Sequence, residues 1–79
     1  MEQEGLSITN FKEGQTGTVV SVIGGRMVVK RLADLGLTPG TEIKLIKKIR
    51  PSGPIKLQVR GSNIVLGRGI ALKIRIKPN

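Results

Sequence analysis

The run Arg31-Leu32-Ala33-Asp34-Leu35-Gly36-Leu37-Thr38-Pro39-Gly40-Thr41 makes one element stop and another begin. A helical pattern reaches Gly36, a residue that can take the left-handed conformation closing a helix C-terminus. Pro39 presets φ for the second position of a turn, and Gly40 can supply the positive φ that follows it. A strand then starts at Glu42. The chain is therefore committed to a helix, a sharp reversal and a strand in direct succession.

The segments around this run read as short strands between glycine and proline turns. Leu6, Ile8 and Phe11 are spaced to pack a short turn or helix against a core. Thr18 to Ile23 is rich in β-branched residues, but its apolar residues occupy both parities, so its inward face stays open. Gly24-Gly25 ends it, and a helix is expected from Arg26 to Leu35. At 100° per residue Val28, Leu32 and Leu35 share one stripe, with Val29 on its flank; Leu32 and Leu35 read as core.

The second strand runs from about Thr41 to Ile49, where Ile43 and Leu45 alternate with Glu42 and Lys44. The alternation breaks at Ile46, which implies either a bulge near Leu45-Ile46 or an outward Ile46. Ile55, Leu57 and Val59 give a third strand with Lys56, Gln58 and Arg60 opposite. A turn at Gly61-Ser62-Asn63, a short strand Ile64 to Leu66 and a last strand from Leu72 to Lys77 complete the pattern. Leu72, Ile74 and Ile76 are placed inward there. The architecture expected is mainly β: a small five-stranded closed barrel with one short inserted helix.

At 79 residues the chain is read as one domain, with a flexible N-terminus at 1–5 and a single folded unit at 6–79. It has no cysteine and no histidine, so disulfides and cysteine- or histidine-based zinc sites are excluded. No apolar run approaches the roughly 18 residues of a membrane span. The start, Met1-Glu2-Gln3-Glu4-Gly5, lacks the basic and apolar regions of a secretory signal. A cytoplasmic protein is expected.

Fourteen Lys and Arg stand against five Asp and Glu, a net charge of +9. Such a field favours nucleic acid, anionic lipid or an acidic protein surface, and it also serves solubility alone. Phe11 is the only aromatic residue, whereas single-strand binders stack bases on aromatic rings. Lys56, Arg60, Lys73, Arg75 and Lys77 are expected on the outward faces of two strands, where they make a basic band if those strands curl together. Catalysis is not expected: no histidine, cysteine or carboxylate pair is available for acid–base or nucleophilic work. No cofactor and no metal site is read from the sequence. Of its five carboxylates, Glu42 is the single candidate ligand.

The central run, with Ile8-Thr9-Asn10-Phe11-Lys12-Glu13-Gly14, Gly17-Thr18-Val19, Gly53-Pro54, Val59-Arg60-Gly61-Ser62 and Leu66-Gly67-Arg68-Gly69-Ile70-Ala71, resembles the FeoA family. Glu13 departs from the proline common before that glycine. The resemblance implies an SH3-like barrel with an inserted helix, and a 3₁₀ turn from Gly67 to Ala71 before the last strand. It also implies a role in bacterial ferrous-iron uptake, by binding the cytosolic part of FeoB, a membrane permease with a GTPase-like domain. That partner would recruit the protein to the inner face of the membrane. The same module ends some metal-dependent repressors, where it contributes metal ligands.

The candidate partner surface is Arg26, Met27, Arg31, Leu37 and Pro39. Met27 falls on the polar side of the helical wheel and is either exposed for a partner or covered by a neighbouring loop. Arg31 caps carbonyls, lies along Leu35 or meets the partner. Leu37 packs back on the helix or stands exposed at the turn. Two rival readings remain: a basic nucleic-acid-binding barrel and a metal-sensing module.

Overall fold

The computed structural model describes residues 5–79. The expectation for residues 1–4 lies outside the described residues. The elements in chain order are β1 (Leu6–Ser7), a 3₁₀ turn (Ile8–Asn10), β2 (Thr16–Val22), α1 (Arg26–Asp34), β3 (Glu42–Lys48), β4 (Ile55–Val59), β5 (Ser62–Leu66), α2 (Arg68–Ala71) and β6 (Ile74–Pro78). All strand pairs are antiparallel.

The ladder runs β1-β6-β2-β3-β4-β5, so β1 and β5 are its two ends. Among the described residues the expected closure is therefore not a continuous ring of hydrogen bonds. The sheet curls into a body of 27 × 25 × 24 Å, and α2 carries the chain from the β5 end across to β6, touching the 3₁₀ turn on the way. The additional strand is the two-residue β1, too short to register as an alternating pattern.

Two bulges explain the broken alternations. In β2 the register shifts between Val19 and Ser21, so Val19 pairs with Ile76 and Val22 with Ile74, both on the inner side. Valines of opposite parity thus face the same core. In β3 the shift falls between Leu45 and Lys47, which leaves Ile46 as the extra residue. The break at Leu45-Ile46 is this bulge.

The core joins Ile43, Leu45, Ile55, Leu57 and Val59 from the sheet to Leu32 from α1, all at most 2% exposed. Phe11 is fully buried, and Gly17 makes room for it: a Cβ there would lie 2.9 Å from Phe11 Cε2 and 2.5 Å from Ile76 Cγ2. Leu6 does not join Ile8 and Phe11, because as an edge residue of β1 it stays 45% exposed.

The reversal after α1 is a Schellman closure. The Leu37 N–H donates to Leu32 O at 2.9 Å and the Gly36 N–H to Ala33 O at 2.9 Å, with Gly36 at φ 92°. Leu37 then folds back over Leu32, and both are 1% exposed. Leu35, expected in the core, is instead 41% exposed, because the helix ends at Asp34 and the chain turns away beneath it. Leu72 is likewise 47% exposed: α2 ends at Ala71 and β6 begins only at Ile74. The Thr38-Pro39-Gly40-Thr41 turn closes with a Thr41 N–H to Thr38 O bond of 3.0 Å, and Gly40 has φ 93°. The β4–β5 turn is Arg60-Gly61, both with positive φ, rather than Gly61-Ser62-Asn63. Val59 pairs directly with Ser62, which leaves two residues for the hairpin.

Candidate functional site

Helix α1 buries one residue, Leu32, completely, and half-buries Val28 and Ala33. Its remaining surface is turned outward, and Met27 is 82% exposed there. Among the described residues no loop covers it, so the covered alternative is overturned. An exposed thioether costs the free protein apolar area in contact with water and offers an adaptable contact to a partner.

Two hollows meet at this residue. One, of about 170 Å³, lies between α1 and α2 and is lined by Met27, Val28, Arg31, Leu32 and Ile70. The other is a broader shelf along α1, lined by Arg26, Met27, Lys30, Arg31, Asp34 and Leu35. Met27 and Arg31 belong to both. The structure thus gathers three of the expected partner residues, Arg26, Met27 and Arg31, on one face. It adds Ile70, which the sequence did not single out, and Leu35, which was expected in the core. Ile70 carries no local signal, since it reaches the groove from the α2 turn across the fold. Arg31 lies in the last turn of α1, where its charge suits the helix dipole, and it lines the shelf beside Leu35.

The other two expected residues are elsewhere. Leu37 is buried at 1% exposure and presents nothing to a partner; its role is to close the helix over the core. Pro39 is exposed but lines a separate polar hollow with Thr38, Thr41, Glu42, Lys44 and Arg60. Glu42 is exposed there, and its carboxylate accepts a 2.8 Å hydrogen bond from Asn79 Nδ2. No group of three or more Asp or Glu side chains among the described residues is placed to hold a metal ion.

The basic band does not form as expected. Lys56 is on β4 and Arg75 and Lys77 are on β6, with β3 and β2 between them. Lys73 precedes β6, and Arg60 sits in the β4–β5 turn, its Nη2 3.5 Å from Thr41 Oγ1. The cross-strand partners of Lys56 are Lys47 and Val65 instead. Among the described residues, no helix is long and apolar enough to cross a membrane.

A curled antiparallel sheet with a helix inserted between β2 and β3, and a one-turn helix before the last strand, defines an SH3-like module. The FeoA domain family matches residues 6–78, and the chain belongs to that family. A Methanocaldococcus jannaschii protein, assigned by inference as Fe(2+) transport protein A, is 35% identical over 84% of this chain and 78% of its own length. The crystal structure of an iron uptake regulatory protein, FeoA, superposes with a TM-score of 0.88 at 30% identity, covering 94% of this chain and 97% of that one. A manganese-dependent transcriptional repressor in complex with manganese also superposes at 0.88, covering 100% of this chain and 39% of that one. At 17% identity that likeness shows the fold alone. Where the resemblance implied a 3₁₀ turn from Gly67 to Ala71, the structure has a one-turn α-helix at Arg68–Ala71: the Ala71 N–H to Gly67 O and Leu72 N–H to Arg68 O bonds are α-helical, and only the last, Lys73 N–H to Ile70 O, has 3₁₀ spacing.

Proposed function

We propose that this protein serves ferrous-iron transport as a docking module, binding the cytosolic part of a FeoB-type permease through the α1 face. The observation that carries the reading is Met27, four-fifths exposed at the junction of an apolar groove and a shelf edged by Arg26, Lys30 and Arg31. An apolar anchor within a cationic rim is the pattern of a small recognition surface. Membership of the FeoA family supports the iron-transport setting. The module acts without chemistry of its own: it shifts its partner only by binding one of that partner's states more tightly than another.

The nucleic-acid rival loses support from Phe11, the sole aromatic ring, which is fully buried and offers no base a stacking surface. Capture of the permease's cytosolic domain on immobilised protein tests the proposal. Wild type retains the domain, and Met27→Glu, which puts a carboxylate into the groove, loses most of it. Equal capture by both contradicts the reading.

A further inference from the structure

We infer that the β3–β4 hairpin end of the molecule is a second contact surface, and that it binds the anionic face of a lipid bilayer. The hairpin brings cations together. Lys47 and Lys56 are cross-strand partners on β3 and β4. Lys48 follows at the end of β3, and Arg50 opens the turn closed by Gly53 N–H to Arg50 O at 3.1 Å. Arg68 of α2 reaches the same turn, its Nη1 3.5 Å from Pro51 O. Glu13, a carboxylate at this end, has its Oε2 accepting from the Lys48 backbone N–H at 3.0 Å. Glu42 stands at the opposite end of β3, about 20 Å away at strand rise.

Two aliphatic side chains stand exposed among these cations. Ile49, 44% exposed, adjoins Arg50 in the chain, and Val65, 57% exposed, is the cross-strand partner of Lys56. Cations that reach headgroup phosphates beside aliphatic tips that enter the acyl boundary make a bilayer surface the matching partner. Nucleic acid has phosphates but no apolar layer for Ile49 and Val65, and no aromatic ring is exposed to stack a base. The turn Arg50-Pro51-Ser52-Gly53 is largely exposed, which suits a plane rather than a buried peptide. The surface also adjoins the α1 groove, because α2 presents Arg68 to the hairpin and Ile70 to Met27. A protein seated this way meets the membrane and a membrane-borne partner at the same time. The inference does not depend on that partner.

The test is cosedimentation of the full chain with phosphatidylserine–phosphatidylcholine vesicles at physiological salt, against vesicles of phosphatidylcholine alone. Wild type is expected to pellet with the anionic vesicles only. Lys47→Gln/Arg50→Gln/Lys56→Gln removes charge from exposed or half-buried side chains and is expected to bind about a hundredfold more weakly, from about fivefold per cation. Ile49→Ser is expected to weaken binding severalfold with every charge intact. Arg26→Gln/Lys30→Gln, on the helix, is expected to bind much more tightly than the triple variant. Absence of pelleting, equal pelleting with neutral vesicles, or a triple variant that binds like wild type overturns the inference. So does tighter binding to labelled DNA or to polyglutamate under the same conditions, which would assign the cluster to nucleic acid or to an acidic protein.

Discussion

Leu35 and Leu37 stand on either side of Gly36 and have opposite fates: one is exposed on the α1 shelf that also carries Met27, and the other is sealed over the core. The difference lies in the backbone, since Gly36 at φ 92° sends the chain back before a further helical turn can form. Leu37→Ala should therefore cost about 2–5 kcal/mol of unfolding free energy in a urea titration, whereas Leu35→Ala should change it by much less than that. Gly17 is a second position where one carbon decides. A methyl there would overlap Ile76 and Phe11, so Gly17→Ala should destabilise by about 1–3 kcal/mol in the same assay. Met27 predicts the reverse profile. Met27→Glu should leave the urea midpoint close to wild type and weaken partner binding at least tenfold, a loss of ~1.4 kcal/mol.

At the scale of elements, much of the barrel was legible because local chemistry and final environment agree. Ile55, Leu57 and Val59 alternate in the sequence and alternate in β4. Thr38-Pro39-Gly40-Thr41 has turn chemistry and makes a turn. The bulge near Leu45-Ile46 was among the alternatives read, the bulge at Val20 left the inward face of β2 open, and reading failed where an element ended or began earlier or later than its pattern. Helix α1 stops at Asp34 and so releases Leu35, and β6 starts late and so releases Leu72. The basic band failed for another reason, because strand order decides which lysines are neighbours and no single segment encodes it. The candidate site was half legible: Met27 and Arg31 share a helical face, but Ile70 reaches it only through tertiary packing. Gly36→Ala tests the helix closure directly. Forcing Cβ into a left-handed φ and to 3.2 Å from Val59 Cγ1 should cost about 1–2 kcal/mol or more, read as a lower urea midpoint.

For the whole molecule, a net charge of +9 sets the long-range behaviour, and the proposed contact is the α1 face. Association with an acidic partner should accelerate as ionic strength falls, with most of the change in the on-rate, as stopped-flow measurement at two salt concentrations would show. The same field is not a site, and the described carboxylates make no metal cluster. The proposed partner site is the apolar ground around Met27, set on a scaffold whose helix is locked to the sheet by Leu32 and Leu37. Chemical-shift mapping tests this most directly: the labelled protein is titrated with the cytosolic domain of the permease. Perturbations centred on Met27, Arg31, Leu35 and Ile70 are the predicted result. Perturbations confined to the polar hollow around Pro39 and Arg60, or none at saturating domain, would contradict it.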